Sequence, residues 1–167
     1  MELFDTHCHI QSAGLKEGER STRDMWAKAD DISVDALVTG AQEAGVAQMV
    51  CVGCDVDDSV LAVSTVKSRE NLYASIGIHP HEAQRYVDNT NEKERFAALA
   101  TDKKVVAVGE CGLDYFYAHS PKEAQIDILK FQLDLAAQHN LPLIFHVREA
   151  FDDFWAEMPW PTLPPSR

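Results

Sequence analysis

Hydrophobic residues along this chain fall in short runs that alternate with longer segments of helical spacing. The runs Leu3–His9, Gln48–Gly53, Leu72–His79, Val105–Glu110 and Leu141–Val147 are apolar on both faces and predict five strands. Between them, Val34–Ala44, Asp57–Ser68 and Glu92–Ala100 predict helices, and another helix begins near Glu149. Ser120-Pro121-Lys122-Glu123 reads as a capping box that starts a helix carrying Leu129, Leu133 and Ala136, with Asn140 as a left-handed stop. Doubly buried strands alternating with helices predict an α/β fold with a parallel sheet and βαβ crossovers.

Two segments break this rhythm. Residues Gln11–Asp31 are polar and charged, and predict a long loop or partial helix over the end of the first strand. The tail from Met158 to Arg167 holds four prolines and cannot continue a helix or a central strand. No internal repeat is present.

At 167 residues and 46% hydrophobic, the chain has enough apolar material for one domain with a sizeable core. The opening Met1-Glu2-Leu3-Phe4-Asp5 has no basic flank or apolar stretch of a secretory leader, and no run approaches the ~20 apolar residues of a membrane span. Cys8, Cys51, Cys54 and Cys111 are too sparse for a disulfide scaffold, so the expected setting is reducing and cytoplasmic, without membrane contact. A net charge of −12 excludes a protein that coats nucleic acid with a basic surface. It leaves open an enzyme that meets phosphate through bound cations.

The candidate chemistry gathers at strand ends. On the first strand Asp5, His7 and His9 share a face, because side chains alternate. Two imidazoles at i and i+2 can grip one divalent cation, and a carboxylate on the same face can orient a ring. His9, Cys54-Asp55, His79-Pro80-His81, Glu110 and His146 all lie at or just past the predicted C-terminal strand ends. That end is the catalytic face of a closed parallel barrel and the ligand side of an open α/β sheet. Imidazoles with a carboxylate suit Zn, Mn, Fe, Co or Ni, and do not suit calcium. A buried carboxylate at Glu110 needs partners, either two cations that it bridges or an arginine.

Other features have plainer readings. Cys51-Val52-Gly53-Cys54 is a single pair whose first cysteine lies inside a predicted strand, which speaks against a redox or zinc motif. Tyr115, Phe116 and Tyr117 read as rim aromatics packed on neighbouring loops, although such rings also stack nucleobases. His119 and His139 read as helix-end residues, and Asp55–Asp58 as the acidic start of a helix.

Four segments in order carry a resemblance: Leu3–His9, Gly77–His81, Gly109–Tyr115 and Pro142–Asp152. Together they resemble the TatD-type metal-dependent hydrolases, deoxyribonuclease-like members of the amidohydrolase superfamily. The similarity runs from residue 2 to about residue 154. It implies a (β/α)8 TIM barrel and hydrolysis of phosphodiester bonds in DNA through two divalent metal ions (Zn, Mn, Mg, Co or Ni). His7 and His9 would then hold one metal, Glu110 would bridge both, and His146 would hold the second. His79 and His81 would lie near the scissile phosphate with Arg148 beside them, and Asp5 and Asp114 would orient ligands.

The chain also departs from the family pattern. Gln11 stands where an Asp or Asn is usual, and Ser12–Asp31 enlarges the first loop. A complete barrel takes about 250 residues, whereas this chain predicts five strands. The family's later histidine and its catalytic aspartate have no counterpart, so no catalytic residue is identified. The expectation is therefore a partial barrel domain over residues 1–156 and an irregular proline-rich tail over 157–167, as an early stop, frameshift or split gene would leave. Its open edge would favour self-association or a complementing chain. A catalytically inactive remnant, or an amidohydrolase acting on amides or lactones, stays open beside the DNA phosphodiesterase.

Overall fold

The computed structural model describes residues 2–15 and 32–158. The proline-rich tail beyond Met158 and most of the Ser12–Asp31 insertion lie outside the described residues. Five strands, β1 (Leu3–Cys8), β2 (Val46–Val52), β3 (Leu72–Ile76), β4 (Val105–Asp114) and β5 (Leu143–Arg148), form one sheet in chain order. All neighbours are parallel. The crossovers carry α1 (Val34–Glu43), α2 (Val56–Val66), α3 (Thr90–Leu99) and α4 (Lys122–His139), and α5 (Phe151–Glu157) follows β5. This is a partial (β/α)8 barrel, a sheet that curls through five strands.

Helix starts follow local side-chain chemistry. Ser33 accepts from Ala36 N at 3.1 Å, Asp55 from Asp58 N at 2.8 Å and Asn89 from Glu92 N at 3.3 Å. Asn140 stops α4 in the left-handed conformation, at φ 52° and ψ 43°. The capping box expected at Ser120 does not form. Pro121 is the N-cap and makes no side-chain cap bond. The Ser120 hydroxyl instead donates to His81 O at 2.8 Å and accepts from Gln84 N at 3.1 Å, which ties the start of α4 to the segment after β3.

Two strand ends differ from expectation by three residues or more, for related reasons. β3 stops at Ile76 rather than reaching His79. A Cβ at Gly77 would collide with the Gly109–Glu110 backbone, which closes directly over it. Beyond that crossing, Glu110 N donates to Gly53 O at 3.1 Å, joining β4 to the end of β2 as the sheet curls. The Ile78 peptide loses its strand partner and is taken up by the Gln132 amide, which accepts from Ile78 N at 2.7 Å and donates to Ile78 O at 3.0 Å. β4, in contrast, continues past Glu110 to Asp114 because β5 still pairs with it, Gly112 opposite His146 and Asp114 opposite Arg148. Glu110 therefore sits inside a strand, at a register shift between Val108 and Cys111, and not at its end.

The main core lies between sheet and helices and includes Cys51, Val56, Leu72, Ile76, Phe96 and Ile128. A second cluster, Cys111, Leu113, Leu129, Leu133, Ala150 and Phe154, packs α4 and α5 on β4. The outer strands leave apolar groups in solvent: Leu3 and Phe4 on β1, Phe145 on β5. No helix among the described residues is long and apolar enough to cross a membrane.

Gly112 has φ 148°, and a Cβ there would fall on the His146 carbonyl. Gly112→Ala is expected to lower stability by more than about 1 kcal/mol. Gly40, inside α1 with nothing within 4 Å of its Cβ position, makes the control; Gly40→Ala is expected to add about 0.5–1 kcal/mol. Urea denaturation measures both, and shifts of the same sign would contradict this account of β4.

Candidate metal centre

The register shift in β4 aims the Glu110 carboxylate between two imidazoles. Its Oε2 lies 3.4 Å from His7 Nε2, and its Oε1 lies 3.1 Å from His146 Nδ1. His7 comes from β1 and His146 from β5, the two outer strands, so the curl of the sheet brings them to one carboxylate. Burial pushes the Glu110 carboxyl up. The hydrogen bond from His146 and the neighbouring His79 and His7 outweigh that and hold it below its ordinary value. His146 is raised, first by its bond to Glu110 and then by Asp114, against the effect of burial.

Hydrogen bonds to the backbone separate the histidines by role. His9, just past β1, has Nδ1 at 2.9 Å from Val52 O. A carbonyl can only accept, so Nδ1 carries the proton and Nε2 keeps its lone pair for a cation. His79 is arranged the opposite way. Its Nδ1 accepts from His81 N at 3.2 Å, so the neutral ring carries its proton on Nε2 as a donor. Burial, followed by the nearby His146, pushes His79 down to about 4, so the ring is neutral near pH 7. His9 Nε2 thus offers a lone pair and His79 Nε2 a hydrogen.

Asp114 fixes the remaining groups. It is fully buried, and its Oδ2 accepts from His146 Nε2 at 2.9 Å and His81 Nε2 at 3.0 Å. Its Oδ1 accepts the backbone N–H of Phe116 at 3.1 Å and of Tyr117 at 2.9 Å. Burial opposes ionisation here, but the Tyr117 N–H and the two rings hold the carboxyl well below the usual carboxylate range. With Nε2–H of His146 committed to Asp114, its Nδ1 and Glu110 Oε1 converge on one proton. A divalent cation needs that same convergence of nitrogen and oxygen.

Among the described residues, two groupings have ligand atoms within 4.8 Å of one another: His7, His9 and Glu110, and His79, Glu110 and His146. Both are imidazole–carboxylate sets, and with the proton of His79 on Nε2 the donors open to a divalent transition metal are those of His7, His9, Glu110 and His146. A third grouping of His9, Cys54 and Asp58 has the Cys54 thiol 3.9 Å from His9 Nδ1, the nitrogen already given to Val52 O. His79, His81, Glu110, Asp114, His146 and Arg148 line one cavity of about 330 Å³.

Other expectations are corrected. The Asp5 carboxylate accepts from the backbone N–H of His7 at 3.1 Å and so holds the strand end rather than a ring, because so short a side chain folds back onto its own backbone. Gln11 is buried, its amide donating to Val52 O at 2.9 Å and Asp58 Oδ2 at 3.1 Å. Cys51 stands opposite Cys8 in the β1–β2 register, and both are free thiols. Phe116 and Tyr117 are exposed, not packed beneath a loop. Sequence reasoning missed Gln125 and Gln132, buried two turns apart on α4. Gln125 accepts from Asp114 N at 2.7 Å and donates to Asp114 O at 3.0 Å, as Gln132 does for Ile78. Their signal was two amides on an otherwise apolar helix face.

A family model described as TatD related DNase matches residues 4–160. The uncharacterized metal-dependent hydrolase YabD of Bacillus subtilis is 34% identical over 152 residues, covering 90% of this chain and 52% of that protein. The 3′-5′ ssDNA/RNA exonuclease TatD of Enterobacter lignolyticus is 35% identical over 127 residues, covering 75% of this chain and 48% of that protein. The crystal structure of YJJV, a TatD homolog from Escherichia coli, superposes with a TM-score of 0.71 at 27% identity, over 91% of this chain and 53% of that one. A TatD family hydrolase from Entamoeba histolytica gives 0.73 at 20% identity, over 93% and 52%, and bears on the fold alone. The chain thus spans about half the length of the curated relatives it matches.

The proton placements make a test. Titration calorimetry with Mn²⁺ or Zn²⁺ is expected to show affinity falling at least about tenfold in His9→Ala and Glu110→Ala. His79→Ala is expected to keep affinity within a factor of about three, as for a group outside the ligand set. Equal losses in all three would contradict the division of roles.

Proposed function

The chain belongs to the TatD related DNase family, and on that premise we propose that it carries the metal-binding part of a phosphodiesterase site for single-stranded nucleic acid. His7 and His9 would hold one divalent ion and His146 a second, with Glu110 offering an oxygen to each, the metal being Zn, Mn, Mg, Co or Ni. The observation that carries this reading is Glu110, whose two oxygens lie 3.4 and 3.1 Å from imidazoles on opposite strands. When bound, the ions lower the pKa of a shared water and polarise a phosphoryl oxygen.

The chain's own residues do the rest of the work assigned here. His79 donates its Nε2–H to a phosphate oxygen. Its low proton affinity keeps it a donor without placing another charge beside the cations. His81, held by Asp114 at 3.0 Å, stands next to it. Arg148 lines the same cavity, lies over the Phe116 and Tyr117 rings and pairs with no carboxylate among the described residues, which leaves the N–H edge of its guanidinium for the substrate anion. Asp114 keeps the His146 ring oriented. The family's general-base aspartate has no counterpart in these 167 residues, so no group among them is assigned that role.

Residues 1–156 form the N-terminal part of the barrel domain in this reading, and four cysteines outside any disulfide suit a reducing, cytoplasmic setting. A second reading is a metal-binding chain without turnover of its own. The exposed Leu3, Phe4 and Phe145 on the outer strands favour it, where a second copy or a complementing chain would pack.

Incubation of the chain with Mn²⁺, Co²⁺ or Zn²⁺ and an end-labelled single-stranded oligonucleotide separates the two. The first reading expects slow, chelator-sensitive cleavage that falls at least about 100-fold in Glu110→Ala and His146→Ala, each loss removing a metal ligand. Cleavage unchanged by those substitutions would overturn it, and metal binding with no cleavage would select the second.

A further inference from the structure

Beside the proposed metal centre, the β4–α4 turn exposes two aromatic side chains in succession, Phe116 and Tyr117, each 51% accessible. Their rings meet edge to face, with centroids 4.8 Å apart. The exposed Arg148 guanidinium lies over both, 4.0 Å from the Phe116 centroid and 4.6 Å from that of Tyr117. Contiguous exposed aromatic surface of this kind carries a solvation cost and commonly marks a contact surface.

The group is held rigidly to the site. Asp114 Oδ1 takes the backbone N–H groups of Phe116 and Tyr117 at 3.1 and 2.9 Å, while Oδ2 of the same carboxylate holds His81 and His146. Arg148 is two residues beyond His146 on β5, and pairs with Asp114 in the sheet register. Tyr117 also meets the His81 ring at 5.6 Å, and both line the cavity that contains Glu110. One buried carboxylate therefore sets the distance between the aromatic pair and the imidazoles.

We propose that Phe116, Tyr117 and Arg148 form a nucleobase-stacking platform that seats the base adjoining the phosphodiester at the metal centre. The guanidinium, 4.0 Å from the Phe116 centroid, and the exposed Phe116 and Tyr117 rings offer cationic and aromatic surface, and every base has a π-face to set against it. Stacking on these rings reads an unpaired base through its π-face, which every base presents. A base stacked within a duplex cannot present that face, so the platform selects unpaired ends. This inference rests on the phosphodiesterase reading and deepens it.

The test compares two probes on the full chain with Mn²⁺: a phosphorothioate-linked single-stranded tetranucleotide that resists cleavage, and its abasic counterpart with the same backbone. The platform predicts that fluorescence anisotropy shows the base-bearing probe bound on the order of tenfold more tightly. In Phe116→Ala/Tyr117→Ala that preference falls to about one while affinity for the abasic probe is unchanged, and the circular dichroism spectrum confirms folding. Tyr117→Phe keeps the preference. Equal wild-type affinity for both probes would overturn the platform and leave the nuclease reading standing. Binding of neither probe would overturn both.

Discussion

A fully buried carboxylate has to be satisfied on both oxygens, and Asp114 is satisfied by four donors from three segments of the chain. Removing those donors one at a time would leave an ionised group with uncompensated burial, which is among the most costly defects a core can hold. The imidazoles of His81 and His146 and the turn at Phe116–Tyr117 are therefore fixed together or not at all. Gln125 secures the arrangement from behind by bonding both polar groups of the Asp114 peptide. The sheet brings the strands near one another; this carboxylate sets the site to atomic distances.

Within that frame, proton placement divides the labour. His9 and His79 are both strand-end imidazoles, yet each gives its Nδ1 to the backbone in the opposite sense, one donating and one accepting. The consequence is a lone pair on one Nε2 and a hydrogen on the other. The first can meet a cation and the second an anion's oxygen. Glu110 stands between these groups with one oxygen towards each outer strand, so the closure of β1 towards β5 is what makes a two-sided carboxylate possible.

Much of this was legible in the sequence. The alternation of doubly apolar runs with amphipathic segments marked all five strands and the helices between them, and the four polar motifs marked the ends that meet. The parts that were not legible are long-range. The apolar run after Val105 breaks at Gly109–Glu110, so β4 read as ending there, whereas pairing with β5 carries it to Asp114. Ser120 has the local pattern of a cap, but His81 and Gln84, distant in sequence, compete for its hydroxyl. Asp5 shares a face with His7 by periodicity, and its short side chain reaches the nearer backbone N–H first. Gln132 replaces a strand partner for Ile78, a role that no local spacing encodes.

In the proposed site Glu110 would join two divalent ions held by imidazoles from opposite edges of the sheet. Electron paramagnetic resonance of the Mn²⁺-loaded chain, with metal content counted in the same sample, tests it most directly. Two Mn²⁺ per chain with an exchange-coupled spectrum, reverting to isolated Mn²⁺ in Glu110→Ala, is the predicted result. A single uncoupled Mn²⁺ per chain, unaffected by that substitution, would contradict it.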